Sequence, residues 1–156
     1  GQKTGLTSKA MTSPCGKIHI PLNESKDNSS QIVEYLNEYR GEGIQHIALY
    51  TNNIYDTVDI LKARQVPLQD TIETYYDLIN DRIDEHAEDV EELKKRRILI
   101  DGGKEDGVLL QIFTDTVIGP IFFEIIQRKG NNGFGEGNFK ALFESIELDQ
   151  MRRGVI

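Results

Sequence analysis

Glu124 lies in the middle of Ile121-Phe122-Phe123-Glu124-Ile125-Ile126-Gln127, a run that otherwise reads as a buried β-strand. An ionised carboxylate is almost never fully buried unless it is paired or bound to a metal, because losing its hydration costs more than the strand gains. Alternation along a strand puts Phe122, Glu124 and Ile126 on one face, so the carboxylate shares a wall with an aromatic ring and an aliphatic chain. Two other apolar runs each carry one polar residue, His46 within residues 43–50 and Gln111 within residues 108–114. If these strands are neighbours with the three residues inward, a histidine and a carboxylate converge on one point, with an amide beside them offering a donor and an acceptor. One histidine and one carboxylate are two members of the facial set that holds a non-haem Fe(II) and leaves positions open. Two plainer readings stand beside this one. Glu124 could reach water at a strand end or edge, or form a buried ion pair with Arg96 or Arg97.

A third ligand is harder to find. His86 falls on a charged helix, where solvation suits it, and His19 reads as a partly exposed strand histidine. Cys15, in a Pro-Cys-Gly turn without an adjacent histidine, reads as inert. The glycine-rich loop over residues 130–137 is no phosphate cradle: Gly133-x-Gly135-x-x ends on Asn138, no Gly-Lys-Ser/Thr follows, and Glu136 is acidic. It reads either as a hinge presenting Phe134 and Phe139 to a pocket or as a plain strand-to-helix connection. No Gly-x-Ser-x-Gly elbow is present.

Periodicity and turn residues define the elements that must position these side chains. Residues 6–12, a turn at Ser13-Pro14-Cys15-Gly16 and residues 17–23 read as a hairpin with Ile18, Ile20 and Leu22 on one face. A polar loop over 24–30 leads to a short helix over 31–39. A strand over 43–50 then carries His46 at its centre, and Asn52 or Asn53 caps a helix over 54–64 that buries Ile54, Val58 and Leu61. Asp70-Thr71-Ile72-Glu73 matches a capping box opening a second helix through Tyr75, Tyr76 and Ile79. A charged third helix over 85–96 carries Glu91/Lys95 and Glu92/Arg96 pairs. Strands over 97–101, 108–114 and 121–128 follow, and Asn138 is expected to cap a last helix with Phe139, Leu142, Phe143 and Ile146 as its apolar stripe. The order is βα(αα)βββ, the bracketed helices being an insertion.

The length of 156 residues suits one domain with a real core, and the net charge of −8 without basic runs argues against a nucleic-acid partner. A single cysteine leaves no internal disulfide and makes a reducing cytoplasm the simplest compartment. No apolar run spans a bilayer, and the opening residues lack a signal-peptide core, so no membrane partner is expected.

Four stretches in order are familiar together: Gly41-Glu42-Gly43-Ile44-Gln45-His46-Ile47-Ala48, Leu109-Leu110-Gln111-Ile112-Phe113-Thr114, Phe122-Phe123-Glu124-Ile125-Ile126-Gln127-Arg128-Lys129-Gly130, and Gly133-Phe134-Gly135-Glu136-Gly137-Asn138-Phe139-Lys140-Ala141-Leu142-Phe143. They resemble the 4-hydroxyphenylpyruvate dioxygenase family, and Gly5-Leu6-Thr7-Ser8 and Ile20-Pro21-Leu22-Asn23 extend the resemblance over nearly the whole chain. The resemblance implies an α+β fold of the vicinal-oxygen-chelate type, built from paired βαβββ modules. Residues 1–31 would be end strands of an upstream module plus a linker, and residues 32–156 a complete module with a helical insertion and a C-terminal helix.

By the same resemblance His46 and Glu124 would be iron ligands, Gln45, Gln111, Asn138 and Phe139 catalytic, and Ser8, Asn23, Gln31, Phe113, Phe122, Phe134 and Leu142 substrate-binding. The family's first iron histidine belongs to a strand upstream of Gly1, so the chain is expected to be the C-terminal part of a longer enzyme, inactive without its N-terminal part. The implied reaction converts 4-hydroxyphenylpyruvate and O2 to homogentisate in tyrosine breakdown, with Fe(II) and no organic cofactor, in a homo-oligomer. A hydroxymandelate synthase-like enzyme is the nearest alternative; Phe122 and the Gly-Phe-Gly-x-Gly-Asn-Phe loop favour the dioxygenase. An alternative of another kind is a non-catalytic fragment used for binding or assembly.

Overall fold

The computed structural model describes residues 6–26 and 30–154. They fall into two compact units, one running up to Gln45 and including Ile118–Ile121, the other comprising His46–Val117 and the chain from Phe122 onward.

In the first unit β1 (Leu6–Thr12) and β2 (His19–Ser25) pair antiparallel, with Thr12 opposite His19. The expected hairpin is there, with β2 beginning two residues later because the Ser13 hydroxyl accepts from Ile18 N at 3.1 Å and holds that residue in the turn. Ile20 and Leu22 are both exposed. Part of the expected polar loop, residues 27–29, lies outside the described residues. The helix α1 (Gln31–Tyr39) has the predicted bounds and stops at Arg40, whose backbone is left-handed.

The second unit runs β3 (His46–Tyr50), α2 (Ile54–Ala63), α3 (Thr74–Asp77), α4 (Ile79–Arg82), α5 (Val90–Arg96), β4 (Leu99–Gly103), β5 (Gly107–Phe113), β6 (Phe122–Lys129) and α6 (Glu136–Arg152). Its strands form one mixed sheet in the order β3-β6-β5-β4, with β3 parallel to β6 and the other pairs antiparallel. The α+β class and the order of one strand and helix, a helical insertion and three strands are those read from the sequence, but the insertion holds three short helices where two were expected. Ile100, Leu110, Ile112 and Ile125 share one face of the sheet and join a buried cluster with Ile54 and Val58 of α2 and Leu93 of α5. Burying each such chain stabilises the unit by roughly 1.5–3 kcal/mol. Among the described residues no helix is long and apolar enough to cross a membrane.

Several boundaries differ for identifiable reasons. Pairing of β3 with β6 starts at His46 opposite Phe122, so the histidine opens its strand instead of sitting at the centre. Asn53 does cap α2, accepting from Asp56 N at 3.2 Å. The capping box fails: Asp70 accepts from the adjacent Thr71 N, and α3 starts at Thr74 without a side-chain cap. The charged helix starts at Val90, not Glu85, because the Asp89 carboxylate accepts from Glu91 N and Glu92 N. Glu92 and Arg96 pair as expected, whereas Lys95 pairs with Glu92 at 3.9 Å and not with Glu91.

Tyr75 and Tyr76 are buried in the insertion, and burial pushes both hydroxyls up, Tyr75 to about 12. An acid whose folded pKa is raised contributes stability that is complete below its unfolded pKa and lost as pH climbs through the folded one. Alkaline unfolding between pH 10 and about 12 is therefore expected, with about 2 kcal/mol of the loss removed by Tyr75→Phe. Denaturation followed against pH by circular dichroism checks this; identical alkaline profiles for the two proteins would contradict it.

Candidate active site

The register of the sheet decides which side chains meet. His46 faces Phe122 across β3 and β6, Phe113 faces Glu124 across β5 and β6, and Gln111 faces Ile126, so all of them share the face opposite to Ile100 and Ile112. His46 Nε2 lies 3.5 Å from Glu124 Oε2. The His46 ring stacks on Phe122, centroids 5.1 Å apart, and Phe113 meets Phe122 edge-on at 5.9 Å. A histidine, a carboxylate and two aromatic rings thus form one wall.

Glu124 is only 5% exposed. Burial pushes its carboxyl up, a rise partly offset by the hydrogen bond from Gln111 and the field of Arg128. Burial likewise pushes the His46 imidazole down, towards its neutral ligand form. Neither suggested ion pair forms: Arg96 binds Asp59 and Glu92, and Arg97 binds Asp70 and Glu73. A buried carboxylate beside a neutral imidazole is a donor set that suits a divalent first-row cation. Among the described residues no group of three or more His, Cys, Asp and Glu side chains is placed to hold a metal. His46 and Glu124 are two adjacent donors of the kinds such a cation takes.

Gln111 Nε2 donates to Glu124 Oε1 at 2.6 Å, and Gln111 Oε1 accepts from Asn138 Nδ2 at 2.8 Å. Asn138 is not the helix cap expected from the sequence. Gly135 takes that position, and Asn138 lies inside α6, 4% exposed, where it joins Gln111. The buried face of α6 is Asn138, Ala141 and Ser145, with Leu142 half-buried, whereas Ile146 is exposed. The side chains of Phe139 and Phe143 lie outside the described ones. The glycine-rich loop is held by Arg128 Nη1, which donates to Asn131 O at 3.1 Å and Gly133 O at 2.7 Å. Phe134 in that loop is half-buried, and its carbonyl lies 3.4 Å from Gln111 Nε2.

The remaining predicted residues belong to the first unit. Ser8 and Asn23 are opposite each other in the hairpin register, which puts them on one face, and Gln31 opens α1. Gln45 immediately precedes His46 in the chain. His19 is occupied locally, with Nε2 3.0 Å from Gly16 O and Nδ1 3.3 Å from Thr12 Oγ1. His86 precedes α5 and is half-buried against Asn80 Oδ1 at 3.0 Å, so the solvated helical role does not hold. Sequence reasoning missed Tyr75, Arg82 and Asp101, which lie behind Asn138 and Gly137. The signal available was Tyr75 itself, since a buried tyrosine hydroxyl needs a partner.

Residues 1–80 match the profile of the Glyoxalase/Bleomycin resistance protein/Dioxygenase superfamily. The whole chain is 65% identical to hemolysin VllY of Vibrio vulnificus over 157 aligned residues, which is 44% of that protein. It is 64% identical to a 4-hydroxyphenylpyruvate dioxygenase of Pseudomonas aeruginosa, again over all of this chain and 44% of the relative. Among solved structures, a mutant of 4-hydroxymandelate synthase from Streptomyces coelicolor superposes with a TM-score of 0.77 at 35% identity, covering 94% of this chain and 43% of that one. The chain thus spans less than half the length of the relatives it matches.

Proposed function

Because the chain belongs to the Glyoxalase/Bleomycin resistance protein/Dioxygenase superfamily and is homologous to 4-hydroxyphenylpyruvate dioxygenases, we propose that it supplies one wall of a non-haem Fe(II) site. The reaction there is oxidative decarboxylation and ring hydroxylation of 4-hydroxyphenylpyruvate to homogentisate. One oxygen atom of O2 enters the new carboxylate, the other becomes the ring hydroxyl, and the original carboxyl leaves as CO2. The observation that carries this reading is the buried Glu124 carboxylate, 3.5 Å from His46 and hydrogen-bonded by Gln111.

Fe(II), when bound, would supply the open coordination positions at which a 2-oxo acid and O2 meet. His46 Nε2 and Glu124 Oε2 would hold it. The bond from Gln111 Nε2 occupies Glu124 Oε1 and so restrains the carboxylate with its second oxygen towards His46. Phe122 and Phe113 would orient the phenol ring, which decides the carbon that is hydroxylated. Asn138 would act through Gln111, and Phe134, Phe139 and Leu142 would close the aromatic side. Ser8, Asn23, Gln31 and Gln45 stay substrate-pocket candidates by the family resemblance alone. The remaining protein ligand would come from the portion of the relatives that this chain does not span, in a cytoplasmic homo-oligomer.

The full-length protein is expected to consume O2 with 4-hydroxyphenylpyruvate only when Fe(II) is present, releasing CO2 and homogentisate. Iron binding without O2 uptake on this substrate would overturn the reading. The 4-hydroxymandelate synthase structure favours one competing outcome, in which the same assay yields the benzylic alcohol 4-hydroxymandelate.

A further inference from the structure

We propose that Tyr75, on the insertion helix α3, is a positioning residue that orients the Glu124 carboxylate through Asn138 and Gln111. The inference rests on the metal-site reading only for its second readout.

Tyr75 Oη accepts from Ile100 N at 2.9 Å and from Arg82 Nη2 at 3.0 Å, groups that can only donate. Its single proton must therefore go elsewhere. Two acceptors lie within reach, Ile100 O at 2.9 Å and Asn138 Oδ1 at 2.7 Å; Ile100 O also accepts from Arg82 Nη2 at 2.9 Å, and the shorter contact assigns the proton to Asn138 Oδ1. An asparagine held by its oxygen turns its nitrogen the other way, and Asn138 Nδ2 donates to Gln111 Oε1 at 2.8 Å. Gln111 is thereby fixed with Nε2 towards Glu124 Oε1, at 2.6 Å. The series begins at groups that can only donate and ends at Glu124 Oε1, which accepts from Gln111 Nε2, so the two amides between them share one sense of orientation. Tyr75, Asn138, Gln111 and Glu124 are each no more than 5% exposed, and the bonds that link them are direct. Bonds in such a series strengthen one another. Arg82 stabilises the donor end further, with its guanidinium 5.3 Å from the Tyr75 ring centroid and Nη1 3.5 Å from Asp101 Oδ1.

The variant is Tyr75→Phe in the full-length protein, which removes one oxygen and keeps the ring. In the metal-free protein, the side-chain amide protons of Gln111 and Asn138 are expected to exchange with solvent at least roughly tenfold faster than in the wild type, read by 15N-edited NMR. Co(II) as probe is expected to bind roughly tenfold more weakly, in line with the usual effect of removing outer partners of a ligand. A double-mutant cycle separates relay from scaffold. In an Asn138→Ala background, Tyr75→Phe is expected to change Co(II) affinity no further, because the link is already cut. Multiplicative losses would make Tyr75 a structural prop and overturn the proposal, as would unchanged exchange of the Gln111 amide in Tyr75→Phe. Should Tyr75→Phe not fold, Asn138→Ala tests the same link, and a Gln111 amide still protected there overturns it. A wild-type protein that binds no Co(II) would refute the metal-site reading, while amide exchange would still decide the relay.

Discussion

Replacing Glu124 with glutamine is expected to stabilise the metal-free protein and to abolish its metal binding in the same step. The carboxylate is 5% exposed and its nearest charged candidate is His46, whose imidazole burial keeps towards the neutral form. Glutamine keeps the shape and still accepts from Gln111 Nε2, but brings no charge that must be stripped of water. The sign follows from the raised carboxyl pKa of Glu124. Protonated, the wild-type side chain suffers no such penalty, so the stability it contributes is complete at low pH and lost as pH rises through its folded pKa. The gain of Glu124→Gln should be on the order of 1–3 kcal/mol near neutrality and should vanish in acid. Melting of the metal-free proteins across pH, with Fe(II) titration of each, makes the check. A variant less stable than wild type at pH 7, or one that binds Fe(II) as tightly, would contradict the assignment of Glu124 as a residue kept for its ligand chemistry at the expense of stability.

Gly135→Ala should be the most damaging change in the glycine-rich loop. Gly135 is buried and left-handed, with φ at 76°, and a Cβ there would overlap the Gln111 carboxamide. The backbone alone costs about 1–2 kcal/mol for a residue with a side chain. The larger consequence is displacement of Gln111, which would loosen its bond to Glu124 and its bond from Asn138 together. Misplacing groups by about 1 Å in a site can cost on the order of 100-fold in turnover. The expected result is a folded, destabilised protein with turnover down by about that factor. Lys140→Ala, on the exposed side of the same helix, should behave as wild type. Equal turnover in Gly135→Ala and wild type would show that the close approach is not needed for activity.

Gly135 and Asn138 stand out in the sequence for reasons that the structure alters. The Gly133-x-Gly135 spacing reads as a hinge, yet Gly135 is small because Gln111 lies against it, and Gly137 because Asp101 does. Asn138 reads as a cap, since asparagine favours caps, but its amide is drawn into the buried series between Tyr75 and Gln111.

What the sequence determined by itself was set by local periodicity and by incompatible chemistry. Alternation and helical spacing gave the strands, the helices and their order, and a carboxylate among isoleucines and phenylalanines marked Glu124 before any fold was known. His46 and Gln111 stood out for the same reason. Only the tertiary structure decided which polar partners those residues take. Glu124 meets His46 from another strand and neither Arg96 nor Arg97, because register and not distance along the chain brings side chains together. Tyr75 meets Asn138, 63 residues further along the chain, and Arg82 completes the donor end. No local pattern encodes such pairings, since a buried polar atom must be satisfied but its own sequence neighbourhood does not specify by which group.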